Sequence, residues 1–304
     1  MKEDTMPGQI LVIGATGSVG SEMVRLLCRK GESVRAASRE PAARPRSDGP
    51  VSCVEFDFER PETFAPALDG VDRVFLIARP GDDHTDRVAF PVIDEIKRQR
   101  VRHVVNLSAM GVETRDDMAL RKVERYLEDS GVGFTHLRPN FFMQIFSAGP
   151  LLMDIRSTGA FHIPAADAKL SYIDVRDIAA AATAALTEPG HVGKAYTLTG
   201  AQALDHYEIA GAISGATGKT IQYIPISEDA ARKAIEAAGL SLERATRLIG
   251  LYRLVRQGFC EPVSPDIQTV LGRPPTSFAQ FARGASTIDQ TKVCATIETI
   301  PALR

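Results

Sequence analysis

The segment Ile10–Leu27, ILVIGATGSVGSEMVRLL, constrains the fold more than any other part of the chain. A continuous apolar run, the pattern of a strand buried on both faces, leads into Gly14, Gly17 and Gly20. It then passes directly into residues whose apolar positions Val19, Met23, Leu26 and Leu27 share one helical face. Glycines at this spacing let the chain turn sharply and approach a pyrophosphate, whose charge meets the free N–H groups at the helix amino terminus. The spacing therefore predicts a dinucleotide site at Gly14, Thr16, Gly17, Ser18 and Val19. The plainer alternative is a tight glycine turn without a ligand; the strand before it and the helix after it weigh against that.

The same alternation continues. Candidate strands fall at Ser33–Ala37, Ser52–Phe56, Arg73–Ala78, His103–Leu107 and Phe134–Arg138, in addition to Gln9–Ile13. Amphipathic helical stretches at Ser18–Arg29, Arg87–Arg100 and Met118–Asp129 lie between them. Six strands with crossover helices predict a Rossmann-type α/β fold, a doubly wound parallel sheet covered on both faces. After Pro150 the pattern loosens into helices near Asp174–Leu186, Asp205–Ala216, Glu228–Ala238 and Leu242–Gln257, with short strands at Lys194–Thr199 and Thr220–Ile224. The expected organisation is a nucleotide-binding domain over 7–150, a smaller mixed α/β substrate region over 151–285 partly interleaved with it, and a tail over 286–304.

Composition excludes several classes. Lys plus Arg total 36 against 38 for Asp plus Glu, a formal charge of −2, and no basic block is present, so nucleic-acid binding by phosphate neutralisation is disfavoured. The four cysteines, Cys28, Cys53, Cys260 and Cys294, form no CxxC pair, and the six histidines have no metal-ligand spacing, so reduced thiols and no metal are expected. The polar start and the short apolar runs predict neither export nor a membrane span, and hence a cytoplasmic protein, monomeric or homodimeric.

The second strand ends in Ala37-Ser38-Arg39, where an acid would bind the adenosine ribose of NAD; no acid is there. Arg39, with Ser38 as an added donor, suits a 2′-phosphate, which predicts NADP(H); a solvated strand-end arginine is the alternative. Arg35 is less well placed. Asp57 and Phe58 follow the third strand and either meet the adenine or cap a loop. Ala78 and Arg79 end the fourth strand, where the chain would pass the cofactor ribose.

The fingerprint GATGSVG, with NLSAMGV, RKVERYLEDSG, FTHLRPNFFMQIF, SYIDVRDIA and GRPPTSFAQFA, resembles the NmrA-like branch of the atypical short-chain dehydrogenases. The resemblance covers Ile10 to about Ala282. It implies an NADPH-dependent reductase of quinones, dyes or iminium compounds, or else a regulator that senses NADP(H). Most relatives use a Tyr-x-x-x-Lys pair as proton donor, and here none of the six tyrosines is followed by lysine four positions on. Counting back from Ser130-Gly131 puts the pair at Asp116 and Leu120; sliding the frame onto Lys122 puts Met118 at the tyrosine.

By the same resemblance Ser108 stands where a carbonyl-orienting serine sits, as a catalytic candidate or a strand-end cap. Asn140 corresponds to a contact with the nicotinamide carboxamide, and Phe141 and Phe142 to an aromatic wall, with Met110, Met143 and Gln144 as further wall candidates. Asp174 and Asp177 read as helix-start acids before they read as catalysts. His103 and His136, inside strands, read as structural. The expected function is hydride transfer from NADPH to a quinone, aromatic polyketide-type ketone or iminium substrate without the Tyr-Lys pair. The alternatives are a non-catalytic NADP(H) sensor with a protein partner, and a nicotinamide-dependent epimerase.

Overall fold

The computed structural model describes residues 8–40, 51–78, 84–237, 239 and 241–288. Its first half comprises β1 (Gln9–Ile13), α1 (Ser18–Arg29), β2 (Val34–Ser38), β3 (Val51–Glu55), α2 (Phe64–Leu68), β4 (Val71–Ile77), α3 (Thr85–Arg98), β5 (His103–Leu107), α4 (Ala119–Asp129) and β6 (Gly133–Pro139). The chain continues through α5 (Gly149–Thr158), β7 (Ala160–Ile163), α6 (Val175–Thr187), β8 (Lys194–Leu198), α7 (His206–Thr217) and β9 (Gln222–Pro225). It ends in α8 (Glu228–Ala237), α9 (Leu242–Arg256), α10 (Asp266–Leu271) and α11 (Phe278–Ile288).

Two compact units divide these elements. One holds the described residues up to Pro139 together with Ile178–Thr197; the other holds Asn140–Asp177 and the described residues from Leu198 onward. The division thus falls where β6 ends rather than at Pro150, and α11 runs on to Ile288, past residue 285. Among the described residues, no helix is long and apolar enough to cross a membrane.

The first unit is built on a sheet of order β3-β2-β1-β4-β5-β6-β8, with β1 to β6 paired in parallel. Strand order reverses at β1, whose neighbours β2 and β4 lead to opposite edges. β1 is an unbroken apolar run because helices cover both faces of a parallel sheet. The stripe Val19, Met23, Val24 and Leu27 buries one side of α1. Leu68, Leu76, Ile93, Ile96 and Leu127 fill the core beneath α2, α3 and α4. The seventh strand is β8, which the sequence places in the smaller region; its pattern, exposed at the start and buried at Leu198, does not record which sheet it will join. α2, α5 and α10 are also absent from the sequence-derived scheme, as short helices without a sustained apolar period.

In the second unit, β7 pairs in parallel with β9, and Phe146, Phe161, Tyr172, Tyr223 and Phe278 form an aromatic core. Asp205 and Glu208 start α7 with a reciprocal capping box, which satisfies two otherwise unpaired backbone donors. His206, fully buried just inside that cap, meets the Tyr172 hydroxyl through Nε2 at 3.1 Å. In the first unit, His103 Nε2 meets Thr135 Oγ1 at 2.9 Å; because that hydroxyl donates to the His191 carbonyl at 2.6 Å, the ring nitrogen must donate.

Burial pushes both histidines from 6.5 down to about 4. The unfolded chain therefore binds more protons between these values, and stability should be full above pH 6.5 and fall as pH drops towards about 4. Each group should contribute a slope of at most about 1.4 kcal/mol per pH unit. Urea unfolding of the parent and of His103→Gln between pH 4 and 7 checks this; equal slopes would remove His103 from the account.

Candidate functional site

β1 ends at Ile13, and Gly14 takes a left-handed φ of +72° that a side chain would strain. The turn closes with Gly17 N donating to Gly14 O at 2.9 Å, and Ala15 N donates to Ala37 O at the end of β2. A Cβ at Gly20 would lie 2.2 Å from Gly14 O and 2.9 Å from Ala15 Cα, so α1 sits on the turn at a distance only glycine permits. A Cβ at Gly14 would meet Ile77 Cγ2 of β4 at 3.0 Å, which puts the turn beside the reversal of strand order. Open α/β sheets bind ligands there.

Gly17 supplies no side-chain cap to α1, and the first turn contains no acid. The N–H groups of Ser18, Val19 and Gly20 thus have no partner within the helix, and the positive end of the helix dipole is left for an anion. This arrangement fits a dinucleotide pyrophosphate. Thr16 is half-buried and Ser18 exposed, whereas the Val19 side chain is in the core and leaves only its backbone for the ligand.

The two arginines of β2 and its end separate clearly. Arg35 Nη1 donates to Ala67 O at 3.0 Å and Asp69 O at 2.7 Å, closing the carboxyl end of α2. Arg39 is exposed and has no ion-pair partner among the described residues. Ser38 is less available as a donor than the sequence suggests, because its hydroxyl donates to Glu40 O at 2.9 Å. Asp57 caps its loop, its Oδ1 accepting from Glu59 N while its own N–H donates to Thr63 Oγ1. Phe58 packs edge-on against Phe56 at 5.1 Å and is half-buried. Ala78 is buried at the end of β4, and Arg79 lies outside the described residues.

Ser108, just past β5, is 7% exposed; among the described residues its Oγ meets no partner at strict hydrogen-bond geometry, but it lies close enough to the Glu124 carboxylate of α4 to help hold that pKa down. Glu124 is fully buried, and Arg138 of β6 grips it with two bonds of 2.9 and 2.8 Å. Arg121 Nη1 adds a third at 2.7 Å. Burial alone would raise the Glu124 pKa, yet the Arg138 bonds and neighbouring charge hold it below the ordinary value.

Beside this pair, His136 accepts from Asn106 Nδ2 at 3.3 Å and lies 3.3 Å from Glu128 Oε1. Linear spacing misses this convergence: Glu124, Glu128 and His136 bring ligand-type atoms within 4.8 Å of one another. A cation there would face the Arg121 and Arg138 guanidiniums that already hold Glu124, so the donor set suits an ion-pair network better than a metal.

The Asn140 segment is built differently from its expectation. Asn140 Nδ2 donates to Ser171 Oγ and to Cys260 O, each at 2.8 Å, and its Oδ1 accepts from Phe141 N at 2.9 Å. These bonds tie the amide to its own unit and leave one acceptor position of Oδ1 open. Gln144 is likewise engaged at both ends, donating to Asp174 Oδ1 at 2.9 Å and accepting from Val175 N at 3.0 Å. Met143 is buried in the aromatic core. Met110, Phe141 and Phe142 remain half-exposed.

Asp174 accepts from Arg176 N at 2.9 Å at the start of α6, the capping role. Asp177 also does something its sequence position does not announce: buried, it accepts from Arg273 Nη2 at 2.7 Å and Thr276 N at 2.6 Å, anchoring the GRPPTS turn.

Residues 6–282 match the model of the NmrA-like family. The chain belongs to that family. It is 36% identical over 282 residues to the NAD(P)H azoreductase of Xenophilus azovorans, covering 90% of this chain and 96% of that protein. A crystal structure of an NADPH-dependent quinone oxidoreductase of Escherichia coli, complexed with NADPH, matches with a TM-score of 0.80 at 25% identity, over 90% of this chain and 99% of that one. The triphenylmethane reductase of Citrobacter sp. shares the fold at a TM-score of 0.82 and 23% identity, over 92% and 99% of the two chains.

Two substitutions test the build of the site. Gly20→Ala should lower stability by about 2 kcal/mol or more, since the methyl has no space beside the Gly14 carbonyl, and should weaken nucleotide binding with it. Glu124→Ala should cost up to about 3–5 kcal/mol by removing the buried carboxylate, which leaves Arg138 only Glu113 at 3.6 Å and Arg121 only Glu128 at 3.1 Å and Asp116 at 3.7 Å. Denaturant titration measures both, and a near-neutral Glu124→Ala would show that water replaces the carboxylate.

Proposed function

We propose that the chain passes hydride from NADPH to a quinone, an aromatic ketone or an iminium carbon. Its similarity to an NAD(P)H azoreductase and to an NADPH-dependent quinone oxidoreductase supports an NADPH-dependent reductase. The observation that carries this reading is the uncapped, acid-free start of α1 seated on the Gly14–Gly20 turn at the reversal of strand order. The names of the azoreductase and quinone oxidoreductase relatives support a small electron-accepting substrate.

Bound NADPH supplies the hydride; the chain's own residues hold and orient it. The backbone N–H groups of Ser18, Val19 and Gly20 would hold the pyrophosphate, and Arg39, free of ion pairs among the described residues, would hold the 2′-phosphate. Ser108, buried beside the Glu124 carboxylate, would give the polar contact to the nicotinamide or to the substrate oxygen.

The tyrosine–lysine pair has no counterpart in this reading. Lys122 on α4 is preceded four positions earlier by Met118, and its Nζ lies 3.9 Å from Asp86 Oδ2. A substrate whose reduced form spreads its negative charge, or an iminium that needs no proton, removes the need for a strong protein acid. Most of the rate gain would then come from holding two reactants face to face. The missing pair also supports a second reading, an NADP(H) sensor that performs no turnover.

NADPH oxidation with a panel of quinones, aromatic ketones and imines separates the two readings: turnover on at least one class is expected, whereas tight NADPH binding with none would favour the sensor. Arg39→Asp should weaken NADPH roughly ten- to a hundredfold, the worth of a charge-assisted contact, and leave NADH within about twofold. Equal losses for the two nucleotides would remove the 2′-phosphate role.

A further inference from the structure

The buried hub of the first unit decides which way one hydroxyl points. An ionised carboxylate has four acceptor positions and no donor, and at Glu124 three of the four are taken. Oε1 accepts from Arg138 Nε at 2.9 Å, and Oε2 accepts from Arg138 Nη2 at 2.8 Å and from Arg121 Nη1 at 2.7 Å. One position is left, on Oε1. Ser108 N donates to Leu137 O at 2.8 Å, which draws Ser108 in beside Arg138, the next residue of β6. Alternation along the two strands turns Asn106, Ser108, His136 and Arg138 to the sheet face that α4 covers. Burial works to raise the Glu124 pKa; Arg138 foremost, with Ser108 as a lesser contributor, holds it below its ordinary value.

A hydroxyl has a single proton to give. The rival acceptor on the same face, Asn106 Oδ1, is a neutral amide oxygen, and a charged acceptor makes the stronger bond. The Ser108 proton therefore goes to Glu124, and its lone pairs are left for a ligand. A substrate carbonyl oxygen, itself an acceptor, finds no proton there. An N–H finds a partner.

The strand order says which N–H comes near. A Cβ at Gly14 would lie 3.0 Å from Ile77 Cγ2, Ile77 pairs with Leu107, and Ser108 is the next residue. Ser108 thus stands two strand spacings, about 10 Å, from the nucleotide turn. Arg39 follows β2, on the opposite side of β1 from β4 and β5. A nucleotide with its 2′-phosphate at Arg39 and its pyrophosphate at the turn runs on past β4 towards β5, its nicotinamide end last.

We propose that Ser108, held by Glu124 as a hydrogen-bond acceptor, takes a bond from the carboxamide NH2 of the nicotinamide and gives none to the substrate oxygen. This inference rests on the nucleotide-binding part of the reductase reading. It makes Ser108 the residue that orients the nicotinamide ring and Glu124 the positioning residue behind it.

The test is calorimetric binding of NADP+ and of its 3-acetylpyridine analogue, whose methyl ketone replaces the carboxamide and carries no N–H. Ser108→Ala should bind NADP+ about fivefold more weakly than the parent, the worth of one neutral hydrogen bond, and the analogue within about twofold. Glu124→Gln, whose amide can donate to Ser108 and turn that proton outward, should lose the same discrimination between the two nucleotides. A carboxylate that only braces the fold would lower both affinities alike. Where Glu124→Gln is too unstable to assay, Glu124→Asp, which keeps the charge and withdraws the oxygen from Ser108, gives the same comparison. Equal changes for the two nucleotides, or an unchanged NADP+ affinity with a fall in kcat, would overturn the proposal, and absence of NADP+ binding by the parent would overturn it together with the reductase reading. The expected binding pattern without turnover on any acceptor would instead strike hydride transfer and leave the contact standing.

Discussion

The carbonyl of Gly14 and the Cα of Gly20 approach more closely than any side chain allows, and much of the first unit's architecture follows from that approach. It seats the start of α1 on the end of β1, turns three unpaired N–H groups towards one point, and does so where β2 and β4 part to opposite sides of the sheet. An anion at that point meets both hydrogen-bond donors and a helix dipole. The absence of an acid in the first turn of α1 keeps the field unopposed.

Each unit also contains a buried polar hub, and the two differ in kind. In the first, a carboxylate is compensated by two guanidiniums, an arrangement that desolvation would make costly if any partner were removed. It lies beside Ser108, whose hydroxyl helps lower the Glu124 pKa, and Asn106, whose buried Oδ1 has no partner among the described residues, so polar capacity is left over next to the carboxyl end of β5. In the second, neutral groups dominate: Asn140, Ser171 and Thr199 bind backbone carbonyls and N–H groups and thereby hold loops. Asp177, tying down Arg273 and Thr276, is that unit's charged counterpart. Hydrogen-bonded polar groups of this type specify one loop geometry more than they add net stability.

The position of Arg39 shows how a local pattern still needs its surroundings. Its place after β2 suggests a phosphate contact, and the structure distinguishes it from Arg35 only because Arg35 is engaged by the carbonyls at the end of α2. Asn140 shows the converse. Its place after β6 invites a ligand role, but its amide meets Ser171 and Cys260, 31 and 120 residues away in sequence. Gln144 and Met143 follow the same rule, one taken up by Asp174 and Val175, the other by the aromatic core.

What the sequence determined by itself is whatever depends on near neighbours along the chain. The strand-glycine-helix turn, the alternation of six strands with helices, the stripe on α1 and the family membership are written in residue spacings of a few positions, because backbone sterics and helical or strand periodicity act at that range. Only the tertiary structure decided that β8 completes the sheet, that Glu124, Glu128 and His136 converge, and that Ser108 comes to lie beside the Glu124 carboxylate. Those outcomes depend on which polar groups find partners once water is excluded, a choice made between segments far apart in the chain and therefore absent from any local pattern.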